Sequence, residues 1–247
     1  MRLNRLLGPI LLITLWYLLS ASGIVKQLFL PWPHAVGSSL LELIASFEFW
    51  KDLILTVARL FIAFACSALI GIPAGLCMGR YRPVYDMSEL LLDFFRSLPA
   101  LALFPLFLLF FGIGDVAKIA TAAFGCSLVI ALNSAYGVTN APQIRRTIVY
   151  LMGATEFEVF RKVVVPNALP QIFVGLRIAL SLALIIVVVT EMFIGSTGGI
   201  GHRIYHAQLT YRVPEMYASI AVAGFVGYMV NKAFVLLERR IVHWSGT

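Results

Sequence analysis

The sequence predicts an all-α polytopic membrane protein of about six transmembrane helices, and three observations carry that prediction. Of its 247 residues 60% are hydrophobic and only 13% are charged, half the charged share usual in soluble domains. Several runs continue for twenty residues with at most one charge, enough to cross a hydrocarbon layer about 30 Å thick. The runs are continuous, whereas membrane β-strands show short alternating segments.

The predicted spans are 6–25, 53–78, 94–113, 119–138, 169–194 and 216–237, within a single transmembrane domain over 1–247. The first run follows Arg2 and Arg5 and precedes "SASG", as a cleaved signal peptide would. It stays apolar through Ile24 and Val25, which favours a retained helix. Asp93 and Arg96 stand at the entrance of the third run, Arg59 lies inside the second, and Lys232 sits near the end of the sixth. Between the first two spans, Pro31, Pro33, Trp32 and Trp50 mark a short interfacial segment, since tryptophan favours the membrane boundary.

The formal charge of +7 is scattered over the ends of apolar runs. This is an orientation signal, not a nucleic-acid footprint. With the amino terminus inside, ten basic residues (Arg2, Arg5, Arg80, Arg82, Arg145, Arg146, Arg161, Lys162, Arg239, Arg240) face the cytoplasm. Lys26, Lys51, Arg203 and Arg212 face outward, with Lys118 at a span edge. Both termini are therefore expected in the cytoplasm. Cys66, Cys77 and Cys126 fall in apolar runs without metal-type spacing and read as small packing residues.

The segment 139–168 is too polar to span and is fenced by Pro142 and Pro166. Thr155 with Glu158 three residues on forms a capping box for a helix start. Met152, Phe157, Phe160 and Val164 recur at helical spacing, and Glu156, Glu158, Arg161 and Lys162 occupy the other surface. Because proline lacks a donor and clashes one turn back, the expected product is a short amphipathic cytoplasmic helix that stops before Pro166. A turn follows, and Pro170 enters the fifth span. Periodicity leaves two uses open: lying on lipid headgroups or docking into a groove on a soluble partner.

The set formed by Gly153, Pro166, "NALP", Gly175-Leu176-Arg177, Glu191 and "GGIG" resembles the membrane-spanning permease subunit of bacterial ABC importers, in the branch serving sulfonates, taurine, nitrate and related small anions. "FFRSLPALALFPLFLLFFGIG", "LNSAYGV" and "LERRIVHW" match as well, so the resemblance runs over nearly the whole chain. It implies a type I importer permease fold with a cytoplasmic coupling helix, in which Gly153, Ala154, Phe157, Phe160, Pro166 and Pro170 serve ATPase coupling. The implied partners are two ATPase subunits, a second permease copy, a periplasmic or lipid-anchored solute-binding protein and membrane lipid, in the bacterial inner membrane, with no nucleic acid. One departure is that Thr147-Ile148-Val149 stands where the family carries Glu-Ala-Ala.

The sequence holds no G-x-x-x-x-G-K-[ST] phosphate loop. The chain is therefore expected to bind no cofactor and catalyse nothing alone, with ATP and Mg held by the partner ATPase. Asp93 and Arg96, three apart on one helix face, are expected to pair, and Arg96 offers a fork suited to a sulfonate or nitrate on the substrate pathway. Glu191 would repel an anion, so a gate or packing role fits better, paired with Arg59 or bonded to a helix end. Gly195, Gly198, Gly199 and Gly201 point to a turn or re-entrant piece at an outer gate. His202 and His206 lack the third ligand and the H-E-x-x-H pattern of a zinc site. Ser67, Ser127, Ser134 and Ser181 lack a matched catalytic arrangement and read as packing or pathway residues. The competing function is a self-sufficient secondary transporter or channel, which would leave the 153–170 helix on lipid. A membrane-embedded enzyme lacks any supporting constellation.

Overall fold

The computed structural model describes residues 4–193 and 196–242, with only backbone for residues 4–6. Every regular element among them is helical. They fall into two compact units, one within Met1–Thr56 and Glu191–Val226, the other within Val57–Thr190 and Gly227–Thr247.

In order, the helices are α1 (Asn4–Ala21), α2 (Pro33–Ala45), α3 (Phe47–Arg80), α4 (Arg82–Ser97), α5 (Phe104–Phe111), α6 (Asp115–Thr139), α7 (Gln143–Leu151), α8 (Glu156–Val159), α9 (Val165–Glu191), α10 (Ile200–Leu209) and α11 (Val213–Ile241). Among the described residues, four helical stretches are long and apolar enough to cross a membrane: α3, α6, the run Glu156–Glu191, and α11. They contain the second, fourth, fifth and sixth expected spans, except that Met192 and Phe193 of the fifth lie past the helix and Ile194 lies outside the described residues. The first expected span forms a helix that stops at Ala21.

The third departs most. The apolar run 94–113 is not one helix, because α4 ends at Ser97 and the chain bends by 89° between Arg82–Ser97 and Ala100–Phe111. Leu98 sits at φ −79°, ψ 130° before Pro99. A residue preceding proline is pushed into that extended region. A single 3₁₀ turn, Ala100–Leu103, then leads into α5.

Packing in the second unit rests on small residues. Gly71, Gly75 and Gly79 recur every fourth position on α3 and lie against α6. A Cβ on them would come within 2.7 Å of the Ser127 carbonyl oxygen, 2.2 Å of that of Ala131, and 2.8 Å of that of Ala135, respectively. Small-xxx-small rows let membrane helices approach this closely where lipid supplies no hydrophobic drive. On another side of α6, Gly137 meets Ala168 of α9. Buried Ile130, Val138, Ile172 and Leu180 fill the space between, with Phe234 of α11 edge-on to Phe64.

In the first unit the Trp16 indole donates to the Pro31 carbonyl at 3.0 Å, and the Tyr217 hydroxyl donates to that of Phe29 at 3.1 Å. These bonds tie α1 and α11 to the segment preceding α2. The polar tips satisfy backbone groups while the rings stay apolar, which suits an interface.

Candidate functional site

The segment 139–170 folds differently from the single helix expected. Gln143–Leu151 is a helix of its own, α7. The chain then turns through Met152 and Gly153, whose φ of +86° suits a residue without a Cβ. The predicted capping box is present: Glu158 N–H donates to Thr155 Oγ1, and Thr155 N–H donates to Glu158 Oε2 at 3.1 Å. Lys162 Nζ lies 3.1 Å from Glu158 Oε1. The Thr155 N–H bond, followed by Lys162, holds the Glu158 carboxyl well below its ordinary range, at about 2.

The helix starting at Glu156 does not stop at Pro166, which corrects that expectation. It runs unbroken to Glu191. The reason is the wide turn Phe160–Val164, where Val165 N–H reaches back five residues to the Phe160 carbonyl. The ladder already changes step there, so the donor that Pro166 lacks falls where the regular pattern is suspended. Pro170 is likewise accommodated inside α9.

The two phenylalanines have different surroundings. Phe157 is 63% exposed. Phe160 is half-buried, with the Arg80 guanidinium stacked 4.6 Å from its ring centre and Arg80 Nη2 3.7 Å from Glu156 Oε2. Val159 and Val164 are the buried members of this stretch. Ala154 is half-buried beside the turn. A feature missed in the sequence is the stripe Ile144, Ile148 and Leu151 on α7, which continues into Met152 at its C-cap, each more than half exposed. Its 4-3-1 spacing was the available signal, with Ile148 inside the Thr-Ile-Val departure.

Asp93 and Arg96 form the expected pair, Oδ1 to Nε at 3.2 Å, both largely exposed on α4. Arg59 is buried, and its Nη2 lies 2.7 Å from Asp115 Oδ1 at the start of α6. Lys118, also buried, is 3.7 Å from the same oxygen.

In the first unit, Glu191 is fully buried and accepts from Thr56 Oγ1 at 2.8 Å and from Gly201 N–H at 3.0 Å, a helix end. Thr56 Oγ1 also accepts Ile200 N–H at 2.8 Å, and Asp52 Oδ1 accepts Gly199 N–H at 2.8 Å. The opening amides of α10 are therefore capped by side chains distant in sequence, which is what a buried helix end requires. Arg203 on α10 bonds back to Asp52 Oδ2 at 2.7 Å and lies 3.4 Å from Glu215 on α11. Gly199 holds φ +114° against the Glu191 carboxyl. Gly195 lies outside the described residues. Asp52 and Thr56 went unnoticed in the sequence, although their 3.6-type spacing places both on one face of α3. His202 and His206 stack 6.2 Å apart, and no cluster of three metal-ligating side chains occurs among the described residues.

Long apolar helices, with one apolar run bent by 89° at Pro99, define a multi-pass membrane protein. The family model described as "Binding-protein-dependent transport system inner membrane component" matches residues 67–244, and the chain belongs to that family. It is 30% identical over 240 residues to the taurine transport system permease protein TauC of Escherichia coli, covering 95% of this chain and 87% of that one. It is 29% identical to the putative aliphatic sulfonates transport permease protein SsuC of Bacillus subtilis, covering 99% and 88%. It is 30% identical to the bicarbonate transport system permease protein CmpB of Synechococcus elongatus, covering 78% and 69%. Among solved structures, the MetNI methionine ABC transporter superposes with a TM-score of 0.70 at 22% identity, covering 79% of this chain and 96% of that one, a likeness of fold. The protein is the membrane-spanning permease subunit of an ABC importer.

Proposed function

We propose that the chain imports a small oxyanion of the sulfonate, taurine, nitrate or bicarbonate class. In this reading two copies form the pathway, a solute-binding protein delivers cargo, and two ATPases holding ATP and Mg dock on 139–168 from the cytoplasm. Both termini share that side. The observation that carries the coupling role is the apolar surface of α7 and its C-cap, 52 to 83% exposed at Ile144, Ile148, Leu151 and Met152, lying in the same loop as exposed Phe157. An amphipathic face of this kind fits a groove on a partner. Phe157 supplies the anchor, while Phe160 on Arg80 transmits its displacement into the continuous helix to Glu191.

Phe157→Ala should leave membrane insertion intact, while copurification of the ATPase and ATP-driven uptake in proteoliposomes both fall at least tenfold, as for loss of an interface anchor worth about 2 kcal/mol. Normal uptake with a Phe157→Ala, Leu151→Ala double variant would remove the docking role and return this loop to the lipid surface.

A further inference from the structure

The second unit carries a cleft of about 610 Å³ where α3 ends beside α4 and α6. Three guanidiniums, Arg80, Arg82 and Arg96, line it, together with one carboxylate, Glu89, and the phenols of Tyr85 and Tyr136. The size suits a small-molecule site.

Arg82 and Arg96 reach Asp86 and Asp93 through Nε, at 3.1 and 3.2 Å, within one turn of an exposed helix. Such pairs contribute little, about 0.3–0.5 kcal/mol each. They also engage one edge of the fork and leave the Nη pair for a second acceptor. Arg82 opens α4, whose amino-terminal amides favour negative charge. Planar forks match the two-oxygen edge of a sulfonate, nitrate or bicarbonate, and phenol hydroxyls add neutral donors. Arg80 is shared with the coupling segment, where it stacks on Phe160, which sets the cleft at the ATPase-facing end of this unit.

We propose that this cleft is a binding site for a small oxyanion at the cytoplasmic end of the pathway, held by Arg82, Arg96 and Tyr136 with Arg80 behind them. The inference rests on the reading that the cargo is a small anion.

The test uses the full-length chain in nanodiscs of phosphatidylcholine, titrated calorimetrically with ethanesulfonate, nitrate, inorganic phosphate and, as a cationic control, ethanolamine. Saturable binding of ethanesulfonate or nitrate is expected, none of ethanolamine, and a Kd raised about tenfold in Arg82→Gln or Arg96→Gln, as for loss of one charged hydrogen bond. Arg96→Lys, which keeps the charge and loses the fork, should weaken binding too. Both arginines are exposed, so the variants keep their fold. The site is overturned if neither ethanesulfonate nor nitrate binds, if the variants bind as well as wild type, or if phosphate alone binds. Displacement of the anions by phosphatidylglycerol added to the nanodisc would assign the arginines to lipid headgroups and likewise overturn it. ATP-driven uptake by the wild-type complex, measured separately, tests the cargo reading: anion uptake without cleft binding ends this proposal alone, and absence of anion uptake ends the cargo reading.

Discussion

One added methyl group at Gly199 should be costly for two separate reasons. Its φ of +114° lies where side-chain-bearing residues are strained, at about 1–3 kcal/mol. The added Cβ would also stand 2.4 Å from the Glu191 carboxyl carbon and 2.5 Å from both its oxygens. That carboxylate is fully buried and holds Gly201 N–H and the Thr56 hydroxyl. It cannot retreat without losing a hydrogen bond to a charged group, about 1.5–3 kcal/mol. Gly199→Ala should therefore cost about 2.5–6 kcal/mol. Gly153→Ala is the control: φ is +86°, but nothing lies within 4 Å of the new methyl, so only backbone strain of about 1–2 kcal/mol remains. The assay is retention of the monodisperse peak in size-exclusion chromatography after heating in mild detergent. Gly199→Ala should lose that peak at a clearly lower temperature than Gly153→Ala. Adding Glu191→Ala should cost less in the Gly199→Ala background than in wild type, since the clash is then already relieved. Equal behaviour of the two glycine variants, or strict additivity with Glu191→Ala, would refute the reasoning.

Further outcomes follow from the same geometry. Gly75→Leu would drive a side chain into the Ala131 carbonyl, 2.2 Å from its first atom, and should abolish recovery of folded protein, whereas Gly224→Leu, with open space around it, should be recovered normally. Asp52→Ala strips the Gly199 N–H of its acceptor and leaves Arg203 only its 3.4 Å contact with Glu215; a loss of about 2–4 kcal/mol is expected in the same thermal assay. The low value near 2 for Glu158 means that its contribution is complete above the ordinary carboxylate value of 4.5 and is lost as pH falls toward 2. Amide exchange over 155–159 should accelerate across that interval, and Thr155→Ala should move the acceleration upward in pH while costing about 1 kcal/mol of helix start.

Much of this was legible along the chain. Spans appear as unbroken apolar runs because a bilayer demands about twenty such residues whatever their neighbours. The capping box at Thr155 and the pair Asp93–Arg96 are contacts between residues three apart, so local spacing sufficed. Other features depend on what packs alongside. Apolar composition alone did not show that Pro99 would split the third run, because length and hydropathy are indifferent to one extended residue. Pro166 read as a stop, yet the wide turn Phe160–Val164 absorbed it and left the helix from Glu156 continuous with α9. The exposed stripe on α7 is periodic in the sequence, but periodicity does not say whether a face is covered.

What the sequence by itself determined is the class: helices that cross lipid, an amphipathic loop with a capped start, and a family signature from Gly153 onward. What only the tertiary structure decided is which polar groups meet. Thr56, Glu191 and the amides of Ile200 and Gly201 are separated by up to 145 residues and come together because a buried helix end must find acceptors within the fold. Arg80, Arg82 and Arg96 share a cleft for the matching reason: the turn after α3 lays α4 beside α6, and charges spread over seventeen positions then face one space.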